Sequence, residues 1–69
     1  MQNRLEEMRT RKGLTQQELA DLVSVSRQTI ISLERGRYNP SIILAFKLAH
    51  LFGITVEQLF IYSEEDKYE

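Results

Sequence analysis

The side chains best suited to molecular recognition lie on one face of a predicted helix. Within Arg27–Arg35, Ile30 and Leu33 are three positions apart, a spacing that turns both toward a core. The opposite face then carries Arg27, Gln28, Ile31, Ser32 and Arg35. Arginine can pair with guanine O6 and N7, glutamine with adenine N6 and N7, serine with either, and isoleucine can contact a thymine methyl. The pattern indicates a surface that recognises base-pair edges in the major groove of DNA.

Other kinds of chemistry find little support in the sequence. There is no cysteine, which excludes disulfides and thiolate zinc sites, and the single histidine, His50, cannot build a metal site alone. We interpret His50 as a solvated surface residue. No nucleophile–base pair and no phosphate-binding glycine loop is evident, so we expect neither an enzyme nor a bound metal or cofactor.

The net charge of -1 conceals an uneven distribution along the 69 residues. Residues 1–56 have eight Lys or Arg and five Asp or Glu, a balance of +3, whereas residues 57–69 have one against five, a balance of -4. We expect the acidic tail, residues 63–69, to be disordered and simply solvated. No apolar run approaches the length of a membrane span, and residues 1–11 are too polar for a signal peptide, so a cytoplasmic location is expected.

Capping residues and glycines divide the chain into five predicted helices and no strand. Gly13, Gly36 and Gly53 each follow an apolar helical pattern and predict helix ends. Asn3 with Glu6, Thr15 with Glu18, Ser26, Ser41, and Thr55 with Gln58 predict the starts. The helices expected are residues 3–12, 16 to about 23, 27–35, 42–52, and 55 to about 61. The fold class is therefore all-α, with one domain at residues 1–62.

Apolar residues at helical spacing are numerous enough to form one core in a domain this small. The predicted core contains Leu5, Met8, Leu14, Leu19, Ala20, Val23, Val25, Ile30, Leu33, Ile42, Ala45, Leu48, Ala49, Phe52, Ile54 and Leu59.

Four segments together resemble the lambda-repressor-like, Xre-type helix-turn-helix regulators. They are Leu14-Thr-Gln-Gln-Glu-Leu-Ala20, Val25-Ser-Arg-Gln-Thr-Ile30, Leu33-Glu-Arg-Gly36 and Asn39-Pro-Ser41, and the resemblance covers about residues 3–60. It implies a compact five-helix domain and a sequence-specific double-stranded DNA-binding transcription regulator, most readily a repressor. It also implies that Arg27, Gln28 and Ser32 contact bases, that Gln16 contacts phosphate, and that Arg9 and Glu34 form an ion pair.

Phosphate contacts are expected around the base-recognising face. A helix N-terminus carries partial positive charge, which suits Gln16, although Gln16 could equally be an ordinary first-turn residue. The remaining candidates flank the predicted recognition helix or follow it: Thr29, Arg37, Tyr38 and Asn39. For Tyr38, the alternative is that the ring only covers the loop.

The turn between helices two and three departs from the family pattern, because Ser24 stands where glycine is usual. A left-handed conformation costs a non-glycine residue about 1–2 kcal/mol, so this turn is expected to be strained or differently shaped.

Several apolar residues near the C-terminus remain after the core is filled. They are Ile43, Phe46, Leu51, Val56, Phe60, Ile61 and Tyr62, and they predict a homodimer interface on helices four and five. A two-fold dimer would separate two recognition helices by about 34 Å and predicts a palindromic operator. The alternative is that these residues complete a small core.

Two other functions remain open. The chain could be an antitoxin-type module that binds a protein through its apolar C-terminal region, or it could use the Arg27–Arg35 face against protein alone.

Overall fold

Five helices account for most of the regular structure, as the caps and glycines predict. The computed structural model describes the backbone of residues 1–68 and the side chains of residues 1–66. The helices are α1 (Leu5–Arg11), α2 (Gln16–Leu22), α3 (Arg27–Glu34), α4 (Ile42–Phe52) and α5 (Val56–Leu59). The all-α fold class is confirmed.

Side-chain hydroxyls fix where four of these helices begin. At α2, Thr15 Oγ1 accepts a bond from Glu18 N at 3.0 Å, and Glu18 Oε1 accepts one from Thr15 N at 2.8 Å. The hydroxyls of Ser26, Ser41 and Thr55 each accept a bond from the backbone N–H three residues on, at 3.1 Å. These bonds satisfy N–H groups that have no partner within the helix.

A short β-ladder that the sequence analysis did not predict joins the two ends of the domain. Strand β1 (Gln2–Asn3) pairs antiparallel with β2 (Phe60–Ile61), with Gln2 opposite Ile61 and Asn3 opposite Phe60. Helix α5 accordingly ends at Leu59, before the predicted end near Ile61. Strands of two residues have no alternating pattern to detect, and their pairing depends on tertiary packing.

Helix α1 begins at Leu5 and not at Asn3 as predicted. Arg4 is the N-cap residue and its side chain makes no capping bond. Asn3 nevertheless supplies an acceptor, since its Oδ1 receives the Leu5 N–H at 3.0 Å. The same amide donates from Nδ2 to the carbonyl of Leu33 at 2.7 Å. Asn3 thus connects the start of α1 to the end of α3.

The core draws on all five helices and the start of β2. Its buried members are Leu5, Leu19, Ala20, Val23, Ile30, Leu33, Leu44, Ala45, Leu48, Ala49, Phe52, Leu59 and Phe60. The placement of Ile42 in the core was wrong, since this side chain is 72% exposed, and Leu44 is buried instead. Helix α4 is apolar almost all round, so its sequence alone does not show which face is buried.

The acidic tail was expected to be disordered, but a 3-10 helix spans Glu64–Tyr68. The backbone N–H and hydroxyl of Ser63 donate to Asp66 Oδ2 at 3.0 and 3.1 Å. Asp66 Oδ1 also lies 3.7 Å from the N-terminal ammonium of Met1. Glu69, the last residue assigned to the tail, lies outside the described residues.

Across residues 1–68, we find no helix with the length and apolar character that crossing a membrane requires.

Candidate nucleic-acid interface

The two helices of the predicted helix-turn-helix are held together by a buried seam and a tight turn. Leu19 and Ala20 of α2 are fully buried, as are Ile30 and Leu33 of α3. The turn closes with a bond from Val25 N to the Ala20 carbonyl at 3.0 Å. The angle between the helices is therefore fixed by packing as well as by the connection.

Ser24 adopts the left-handed conformation, so of the two alternatives expected for this turn, strained or differently shaped, the structure has the strained one. Its φ is 61°, which makes it the one non-glycine residue with positive φ within the described chain. A side chain in this region costs about 1–2 kcal/mol relative to ordinary backbone. The turn keeps the shape typical of glycine and carries that strain.

The outward face of α3 matches the face predicted to contact bases. Arg27 and Gln28, in the first helical turn, are exposed, and Ile31 and Ser32, one turn later, are half-buried. The opposite face is closed, because Ile30 and Leu33 have no exposed surface. The arrangement presents two long hydrogen-bonding side chains at the N-terminal end of a short, firmly seated helix.

Arg9 and Glu34 form the expected ion pair, which lies largely out of solvent. Arg9 Nε donates to Glu34 Oε2 at 2.6 Å and Nη2 donates to Oε1 at 3.4 Å. The side chains are 12% and 4% exposed. Hydrogen bonding to Glu34, together with its negative charge, raises the pKa of Arg9 above the ordinary arginine value, against the opposing effect of burial. The pair locks α1 to the C-terminal end of α3.

Two further bonds extend this pair into a cluster that reaches α2. Gln16 Nε2 donates to Glu34 Oε1 at 3.1 Å, and Arg9 Nη1 donates to the Leu14 carbonyl at 2.8 Å. Gln16 was expected from its sequence position to contact phosphate, and its bond to Glu34 was not predicted. No local spacing could have indicated it, because the three side chains come from three different helices.

The C-terminal end of α3 is covered by the N-terminal residues, which the sequence analysis also missed. The Met1 ammonium donates to the Gly36 carbonyl at 3.3 Å, next to the bond from Asn3 to Leu33. Gly36 has a φ of 68°, and a Cβ there would lie 3.0 Å from the Met1 carbonyl oxygen. Only glycine therefore fits both the backbone conformation and the space.

The residues assigned to phosphate contacts lie at both ends of α3. Arg37, Tyr38 and Asn39 are exposed in the loop before α4, and the Tyr38 side chain is 43% exposed. Thr29 is half-buried, and its hydroxyl lies 3.0 Å from the hydroxyl of Ser26. The loop residues are thus better placed to meet a ligand than Thr29.

The predicted dimer residues do not form a single exposed surface. Ile43, Phe46, Ile61 and Tyr62 are exposed by 66%, 59%, 44% and 62%, respectively. Leu51 and Val56 are partly buried against the core. Phe60 was wrongly assigned, because it is buried in the core beside the ladder. Two exposed residues were missed: Leu22 at the end of α2, and Ile42, which had been placed in the core.

Comparison with known proteins identifies relatives over most of the chain. A family model described as helix-turn-helix matches residues 5–59. A protein of Methanocaldococcus jannaschii named as an uncharacterized HTH-type transcriptional regulator, MJ0272, is 48% identical over 66 residues, which cover 96% of this chain and all of that protein. The competence pilus inhibition repressor of Acinetobacter baylyi is 39% identical over 57 residues, covering 83% of this chain and 52% of the repressor.

A solved structure has a similar arrangement of elements. The restriction-modification controller protein C.AhdI of Aeromonas hydrophila superimposes with a TM-score of 0.73 at 42% identity, covering 83% of this chain and 86% of the controller. The residues that the family model matches include the α2–α3 unit, the four capped helix starts and the buried seam. This chain belongs to the helix-turn-helix family of lambda-repressor-like, Xre-type transcription regulators.

Proposed function

We propose that this DNA-binding transcription regulator acts as a repressor that recognises a palindromic operator, with α3 of each of two subunits in the major groove. In this proposal Arg27, Gln28, Ile31 and Ser32 contact base edges. Gln16, Thr29, Arg37, Tyr38 and Asn39 contact or approach the phosphate backbone. One relative carries the name of a repressor and one similar structure that of a controller, which supports a regulatory outcome at a promoter.

The observation that carries the proposal is that α3 has one buried face and one exposed face. Ile30 and Leu33 anchor the helix in the core, while Arg27 and Gln28 extend from its first turn into solvent. Helices of this kind place their N-terminal residues against base edges in the major groove.

The position of Gln16 is compatible with a phosphate contact. Its amide nitrogen carries two protons, and the bond to Glu34 uses one of them. The other proton can be donated to a phosphate oxygen at the start of α2, where the backbone N–H groups and the helix dipole also favour an anion. Arg37, three residues after Glu34, supplies a cation at the far end of α3.

The exposed apolar residues near α4 and β2 support a homodimer. Ile43, Phe46, Ile61 and Tyr62 offer apolar surface that a second copy could cover. Two-fold symmetry would place two copies of α3 about 34 Å apart, one turn of B-DNA, on a palindrome.

Selection of bound duplexes from a random pool tests the proposal directly. We expect the selected sequences to contain two inverted half-sites whose centres are about 10 base pairs apart. Half-sites without symmetry would contradict the dimer, and a pool that converges on no sequence would contradict base recognition.

An antitoxin-type role, in which the chain binds a protein, is the alternative that the exposed apolar side chains favour. Salt dependence separates the two roles. If several phosphates are contacted, affinity for the selected duplex should fall by about a thousandfold or more between 50 and 200 mM salt. A nearly flat salt response, together with a stable protein complex, would favour the antitoxin-type role.

A further inference from the structure

An apolar groove lies between the C-terminal end of α2 and the outer face of α4. The α2–α4 groove has a volume of about 650 Å³, and its walls include Leu22, Ile43, Phe46 and Leu51. Leu22, Ile43 and Phe46 are each more than half exposed, which is unusual for large apolar side chains placed side by side. The base-recognising residues of α3 do not line this groove.

The rim of the α2–α4 groove carries the positive charge of Lys47. Lys47 and His50 line it from α4, and no acidic side chain is among its lining residues. A groove with apolar walls and a basic edge fits a segment that combines apolar side chains with acidic ones.

Within the described residues, the exposed segment Ile61–Glu65, which we call the C-terminal segment, has that composition. Ile61 and Tyr62 are exposed and are followed, after Ser63, by Glu64 and Glu65. The Tyr62 ring could fill the groove while the Glu65 carboxylate lies near Lys47 at its rim.

A subunit does not place this segment in its own groove. Ile61 belongs to β2, where it pairs with Gln2, and it lines a different cleft, formed with Met1 and Gly36 at the end of α3. The groove, the Tyr62 ring and the Glu65 carboxylate are therefore exposed to contact with a second copy.

We propose that the α2–α4 groove of each subunit receives the C-terminal segment of a second subunit, so that the contact is made twice across a two-fold axis. This inference rests on the proposed homodimer and assigns its surfaces. When each subunit both inserts its own segment and receives its partner's, assembly stops at two subunits. If only one of the two contacts formed, the free groove and segment would bind further copies and produce a chain. The reciprocal contact also covers four of the seven large apolar side chains that are exposed in the described residues, namely Leu22, Ile43, Phe46 and Tyr62.

Charge-reversal substitutions on the two surfaces test the inference in the absence of DNA. Lys47→Glu and Glu65→Lys should each weaken the dimer about threefold to tenfold, because each contact occurs twice and attraction becomes repulsion. The double variant should recover most of the wild-type affinity. Lys12→Glu, a charge reversal at the exposed end of α1, is the matched control and should leave the dimer unchanged. Sedimentation velocity over a range of protein concentrations measures all four variants.

Apolar truncation supplies an independent test. Phe46→Ala and Tyr62→Ala should each weaken association by at least about tenfold, and the double variant should be little worse than either alone, since they remove the two sides of one contact. Both side chains are mostly exposed, so thermal melting should show that the fold is retained.

Several results would overturn the inference. They are a monomeric wild type, a dimer insensitive to Tyr62 and Glu65, and species that grow beyond a dimer with concentration. Binding of the same variants to a single half-site duplex separates this failure from that of the proposed function. Monomers that still prefer the correct half-site would leave base recognition standing, and a dimer without any preference would refute base recognition alone.

Discussion

Removing one partner of the Arg9–Glu34 pair should destabilise the protein more than removing both. The two side chains are 12% and 4% exposed, and Glu34 also accepts the bond from Gln16. Glu34→Leu would leave the Arg9 guanidinium largely out of solvent and without its counter-ion, and Arg9→Met would do the same to the Glu34 carboxylate. A buried charge left alone costs about 3–5 kcal/mol.

This loss is large compared with the stability of so small a domain. A chain of 69 residues is expected to unfold with a free energy of roughly 3–10 kcal/mol. At about 4–8 °C per kcal/mol, either single variant should melt at least about 12 °C lower, and one of them could be unfolded at room temperature. The double variant, which buries apolar atoms in place of both charges, should be no less stable than the better single variant.

Urea and thermal denaturation of the four proteins give the coupling energy from a double-mutant cycle. The control is the exposed pair of Glu7 and Arg11, 3.3 Å apart, where Arg11→Met should change stability by less than about 1 kcal/mol. Additive losses in the Arg9–Glu34 cycle, or single variants as mild as the control, would refute the reasoning.

The direction of the Arg9 pKa shift determines how the stabilisation by the Arg9–Glu34 pair depends on pH. Bonding to Glu34 raises the pKa of Arg9 in the folded state, so the stabilisation is fully present below the ordinary arginine pKa and is lost only as the pH rises through the still higher folded value. The contribution from Arg9 protonation should therefore be constant between about pH 6 and pH 9.

Three further substitutions test the turn, the core and the proposed interface. Ser24→Gly should raise the melting temperature, because relief of about 1–2 kcal/mol of strain exceeds the added backbone entropy of glycine; an unchanged or lower value would count against the strain. Leu48→Ala should cost about 2–5 kcal/mol in urea denaturation, and a smaller loss would mean that the cavity collapses. Arg27→Ala and Gln28→Ala should each weaken binding to the selected operator by about 1–3 kcal/mol with little effect on random DNA, whereas Arg37→Ala should weaken both alike in a fluorescence anisotropy titration. Equal losses for Arg27→Ala on every duplex would contradict base recognition.

Much of this fold is determined by interactions between residues that are close together in the sequence. A capping hydroxyl, an apolar stripe and a terminal glycine each act within a few residues, and together they gave four of the five helix starts correctly. Ser24 is a clear case, because a single departure from a family pattern predicted a turn that is strained or differently shaped, and the structure has the strained form. The face of α3 was predictable for the same reason, since Ile30 and Leu33 lie on one side and the other side is polar apart from Ile31.

The features that were missed depend on packing between distant segments. The β1–β2 ladder, the bond from Asn3 to Leu33 and the bond from Gln16 to Glu34 each join residues that lie far apart in the sequence. The orientation of α4 was ambiguous because Ile42, Ile43 and Leu44 are equally apolar and the neighbouring helices decide which is buried. For that reason Ile42 was placed inside and Leu44 was not.

The way α3 is held separates its recognition surface from the stability of the domain. The N-terminal end of α3 is fixed by the Ser26 cap and the turn, and its inner face by Ile30 and Leu33. Its C-terminal end is fixed by Glu34 and the N-terminal residues. None of these anchoring contacts uses the side chain of Arg27 or Gln28. Substitutions at exposed sites without such contacts usually change stability by less than about 0.5 kcal/mol. Because α3 is anchored by its inner face and both ends, substitutions on its outer face can change the bases it recognises while the fold stays the same.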